Sequence, residues 1–90
     1  MCIRDRFVVG LAERIDDIQD AELAQREDQV AQLARVLSGD ADRLGYPGMA
    51  MSAQGVARAA EDGPPAELQE TIAELTELAQ RIRQGHRGAA

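Results

Sequence analysis

Tryptophan is absent from this 90-residue chain, and phenylalanine and tyrosine occur once each. With aromatics at 2% against 44% hydrophobic residues, the core must be aliphatic, which suits helices packed on helices better than sheets. A single cysteine, Cys2, allows no internal disulfide, and no Cys/His cluster suggests a metal site. No apolar run approaches the length of a membrane span, and no signal peptide is visible, so a cytoplasmic location is the default expectation. There is no basic excess either. The formal net charge is −6, with both signs mixed along every segment, which argues against nucleic acid or anionic membrane as the main partner. No carboxylate pair, nucleophile–base pair or glycine-rich phosphate loop stands out. Hydrolytic catalysis therefore has no support, and neither a cofactor nor a metal is expected.

What is present is helical periodicity. Phe7, Val8, Leu11, Ile15 and Ile18 recur at three- and four-residue steps and predict a first amphipathic helix. The pattern weakens over 21–27, where a turn is expected. Val30, Leu33, Ala34, Leu37, Ala41 and Leu44 predict a second helix, with Asp28 as its N-cap and Gly45 as its C-cap residue. Gly39 falls inside that helix, where glycine costs about 1 kcal/mol relative to alanine. After the Tyr46-Pro47-Gly48 link, Met49, Ala53, Val56 and Ala60 mark a shorter third helix that ends at Gly63-Pro64. Pro65 suits the first turn of a fourth helix carrying Leu68, Ile72, Leu75, Ala79 and Ile82. Arg81 and Arg83 complement its C-terminal dipole, Gly85 is expected to close it, and 86–90 reads as a disordered tail. Four one-sided helices with short connections predict an all-α, antiparallel up-down four-helix bundle.

The first six residues, Met1-Cys2-Ile3-Arg4-Asp5-Arg6, resemble the translation of a transposon mosaic-end sequencing tag. They are expected to be non-native, which leaves 7–85 as the domain and implies a fragment whose true start lies upstream.

The run from Leu33 to Gly45 resembles the signature helix of histidine phosphotransfer (Hpt) domains. That family shows a histidine, any residue, leucine, lysine and glycine, then a small residue and a Leu-Gly pair. Leu37, Gly39, Ala41, Leu44 and Gly45 match. The resemblance covers roughly residues 7–84 and implies a four-helix bundle that docks a response-regulator receiver domain in a two-component phosphorelay. The departures fall on the chemistry, because this register puts Arg35 at the histidine position and Ser38 at the lysine position. An imidazole lone pair can attack an aspartyl phosphate, whereas a guanidinium has no acceptor lone pair. The resemblance thus implies a degenerate domain with no catalytic residue, not an enzyme, whose docking surface comprises Arg35, Val36, Ser38, Gly39, Asp42 and Arg43. In the family, the small residue at the Gly39 position leaves room for the partner.

Plainer readings stand beside each candidate. Arg35 could be a solvated helix arginine and Ser38 a polar filler, and Asp40, Asp42 and Arg43 could be a charged face. His86, the only histidine, reads as an incidental tail residue. Met49 belongs with the core, Met51 could add an adaptable contact, and Tyr46 is undecided. The alternative function is a structural or oligomerising helical segment of a larger regulatory protein. A third possibility is that phosphotransfer runs through a histidine upstream of this fragment.

Overall fold

The computed structural model describes residues 3–89, the side chains of Arg4 and of residues 86–89 excepted. The described chain is all-helical, without a strand: α1 (Ile3–Leu23), α2 (Glu27–Arg43), α3 (Pro47–Asp62) and α4 (Pro65–Ala89). Each helix packs against two others, in the cycle α1–α2–α3–α4–α1, and neither diagonal pair meets. The apolar stripes explain why. Phe7, Val8, Leu11, Ile15 and Ile18 of α1 and Leu68, Ile72, Leu75 and Ala79 of α4 are all buried in one core. Between α2 and α3 the buried residues are small: Ala31, Ala34, Ser38 and Ala41 from one side, Ala50, Ala53, Ala57 and Ala60 from the other. Short side chains let two helix backbones approach closely, so this is the tightest seam of the bundle.

Polar contacts tie α1 to both of its neighbours. Gln19 Nε2 donates to Thr76 Oγ1 at 3.1 Å, which links α1 to α4. Asp40 of α2 accepts Arg14 of α1 at 3.0 Å and also pairs with Arg43 on its own helix. The two aromatics find each other. Phe7 and Tyr46 stack with ring centroids 5.5 Å apart at the α2–α3 link, and Arg14 lies over the Phe7 ring. That settles Tyr46 as a half-buried packing residue.

The links show how backbone chemistry sets the helix ends. After α2, Gly45 adopts a left-handed φ of 85°. The N–H of Gly45 then reaches Asp42 O and that of Tyr46 reaches Ala41 O, which is the two-bond Schellman closure. After α1 the same closure recurs, with Gln25 N–H on Glu22 O and Arg26 N–H on Ala21 O. Here the left-handed residue is Gln25, at φ 59°. A Cβ in that region costs roughly 1 kcal/mol, which glycine avoids. Gln25→Gly is therefore expected to stabilise the fold by about 0.5–1 kcal/mol. A higher denaturant midpoint at unchanged m-value would register it, and a lower midpoint would mean that the glutamine side chain contributes more than its strain.

Three boundaries differ from the sequence expectation. The turn after α1 is only Ala24-Gln25-Arg26, because the left-handed Gln25 reverses the chain at once. The N-cap of α2 is Arg26 rather than Asp28, since Arg26 O already accepts the N–H of Val30. Asp28 lies instead in the first turn beside Glu27, where a carboxylate favours the positive helix end without capping it. Gly85 does not close α4, which runs on to Ala89. Gly85 is not among the residues with positive φ, so no left-handed stop forms there. Of the proposed tag, Ile3–Arg6 form the first turn of α1, and Met1 and Cys2 lie outside the described residues.

Candidate functional site

The outward face of α2 carries the candidate residues. At 100° per residue, Asp28, Gln32, Arg35, Val36, Gly39, Asp42 and Arg43 share one side of the helix. All seven are exposed, while Leu37 and Ala41 point the opposite way and are fully buried. Val36 is 54% exposed and is the one large hydrophobic residue of α2 that the core leaves out. Asp40 is half-buried and engaged with Arg14 and Arg43.

Two of the expected site residues are placed differently from a free docking surface. Ser38 is only 5% exposed, and its hydroxyl donates to the Ala50 carbonyl across the α2–α3 seam at 2.9 Å. It is a packing residue, because position 38 shares the helical phase of Ala31, Ala34 and Ala41. The place where the resemblance would set a lysine is thus turned into the bundle. Arg35 does face outward, but it is paired with Glu61 near the end of α3. The hydrogen bond and the charge of Glu61 raise the Arg35 pKa, and the same bond holds the Glu61 carboxyl below its usual range. A carboxyl depressed in the folded state contributes stability that is present at neutral pH and fades as pH falls through its folded pKa. Both groups are exposed, so water screens the pair strongly.

Beside Gly39 the surface opens into a depression of about 430 Å³ lined by Arg35, Ser38, Gly39, Gln54, Ala57 and Arg58. A Cβ placed on Gly39 would meet nothing within 4 Å. The fold itself therefore gives no reason for glycine here. Gly39→Ala is expected to stabilise the domain by about 1 kcal/mol through helix propensity alone, read as a rise in the unfolding midpoint. Arg58, exposed and without an ion-pair partner among the described residues, adds a second cation to the rim opposite Arg35. Chemically the depression can accept an anionic group; its one hydroxyl, that of Ser38, is engaged with the Ala50 carbonyl, and no base is among the lining residues.

Gln54, Arg58 and Glu61 escaped the reading of the sequence. They lie on α3, 9 to 16 residues beyond the end of the signature run, and only the α2–α3 packing brings them to Arg35 and Gly39. Their shared signal was weak: positions 54, 58 and 61 form one polar edge of α3 at helical spacing. Met49 is in the core, whereas Met51 is 73% exposed and does not line the depression. The side chain of His86 lies outside the described residues. No group of histidine, cysteine or acidic residues able to hold a metal occurs among the described residues, and no described helix is long and apolar enough to cross a membrane.

No family model, curated protein or solved structure matches the chain.

Proposed function

We propose that this chain is an Hpt-like signalling module, an up-down four-helix bundle of the cytoplasm, that docks a receiver domain without carrying phosphate. The supporting observation is the open depression beside Gly39, flanked by Arg35 and Arg58. A receiver presents an acidic pocket around its aspartate, and Arg58, unpaired among the described residues, together with Arg35 on exchanging Glu61 for that pocket, complements it in charge beside an unobstructed glycine. The buried Leu37 between exposed Arg35 and Gly39 agrees with the helical phase of the Hpt signature. With Arg35 at the acceptor position, docking has no phosphate transfer to follow it. The role is then that of a docking element or decoy.

Titration of the chain with isolated receiver domains tests this reading. A complex that Gly39→Trp weakens, with helicity unchanged, supports it. Binding indifferent to Gly39→Trp, or no binding to any receiver tried, removes it. The burial of Ser38 and the engagement of Arg35 with Glu61 favour a second reading, a structural or oligomerising bundle, in which α2 meets another helical surface.

A further inference from the structure

The chain carries 16 acidic residues against 10 basic ones, so a surface hollow free of carboxylates is unexpected. The depression beside Gly39 is one, for neither aspartate nor glutamate is among its lining residues. Four other depressions described on the surface, of about 300 to 590 Å³, each carry charges of both signs. Here the charged residues are Arg35 and Arg58 alone, and the exposed Gln54 adds an amide donor from α3. These side chains offer positive charge and hydrogen-bond donors, with no negative charge among them to oppose an anion.

Such a lining suits a dianion better than a carboxylate. A phosphoryl group carries about −1.5 to −2 charge at pH 7 and offers three acceptor oxygens. A guanidinium can take two of those oxygens at once. Glu61 is not part of the lining and holds Arg35 in the free chain. That pair is exposed and screened by water, so a phosphoryl dianion can take Arg35 over. A partner's carboxylate would only exchange like for like.

We infer that the depression is a phosphoryl-recognition site, and that the receiver state this chain binds is the phosphorylated one. This recognition presupposes receiver docking and adds the partner's state to it. Arg58 and Arg35 hold the aspartyl phosphate without receiving it. The missing Cβ of Gly39, where nothing lies within 4 Å, leaves room for its approach. The chain thus sequesters phosphorylated receiver rather than drawing phosphate from it.

Calorimetric titration of the full chain with an isolated receiver domain, bare or loaded with magnesium and beryllofluoride, tests the site. Beryllofluoride on the receiver aspartate reproduces the charge and shape of a phosphoryl group. The loaded receiver is expected to bind about tenfold tighter or more, as charge-assisted hydrogen bonds to two guanidiniums imply. Arg58→Gln should weaken the loaded complex more than the bare one, cutting that ratio about threefold or more. Glu61→Gln frees Arg35 and should tighten the loaded complex about two- to fivefold without lowering the ratio. Arg26→Gln removes a cation outside the depression and should leave the ratio in place. Circular dichroism confirms that each variant stays helical. Equal affinity for the two receiver states overturns the inference and leaves docking standing. So does a preference that Arg26→Gln reduces as much as Arg58→Gln, because net charge then accounts for it. Binding to neither state removes docking and the phosphoryl site together.

Discussion

Ser38→Lys is expected to lower stability by about 2–4 kcal/mol, although it restores the residue found in the family that the α2 run resembles. Two terms add. Forcing a long side chain into the packed alanine seam costs about 1–3 kcal/mol in overpacking. Losing the hydroxyl bond to the Ala50 carbonyl costs about 1 kcal/mol more. The ammonium finds no easy way out, because the nearest opening is rimmed by Arg35 and Arg58. Urea unfolding compared with Ser38→Ala separates the terms. The alanine variant should lose only the hydrogen bond, about 1 kcal/mol. A lysine variant as stable as wild type would mean that position 38 is open to solvent and that the α2–α3 seam is looser than described.

Leu37→Ala is the second large effect. Leu37 is fully buried on the inner side of the candidate helix, directly behind Arg35, Val36 and Gly39. Truncating such a leucine costs about 2–5 kcal/mol in transfer and cavity terms. A domain this small sits near the low end of the usual 5–15 kcal/mol stability range. The variant is therefore expected to unfold near ambient temperature, with loss of the helical circular dichroism signal. A change below about 1 kcal/mol would place Leu37 outside the core and undo the helical phase on which the candidate site rests.

Much of the fold was legible because helices announce themselves locally. The predicted stripe residues of α1, α3 and α4 are all buried except Ile82, which is half-buried, and Ala21, Ala50, Ala57 and Ala59 join them. Pro65 opens α4 as expected, while Pro47, read as part of the link, is already the first residue of α3. Gly45 ends α2 through its left-handed conformation, as a C-cap glycine should. The failures share a cause. Gln25 and Gly85 each defy residue preference: one turns left-handed despite its Cβ, the other stays helical despite lacking one. Neither choice is encoded in the residue itself; both depend on the hydrogen bonds the flanking turns make. Ser38 was legible from periodicity alone, since it falls in phase with Ala31, Ala34 and Ala41. The Hpt register drew it outward instead. Arg58 and Glu61 required the crossing of two helices, which no local pattern specifies.

The central claim is that α2 presents an Hpt-type docking surface whose chemistry has been lost at Arg35. The direct measurement is phosphate transfer from a phosphorylated receiver domain to the wild-type chain and to Arg35→His, with Ser38 left in place to spare the seam. The imidazole supplies the lone pair that the guanidinium lacks. The account predicts no label on the wild type and an acid-labile label on Arg35→His. Two folded chains that both stay unlabelled, while the receiver retains its phosphate, would contradict it.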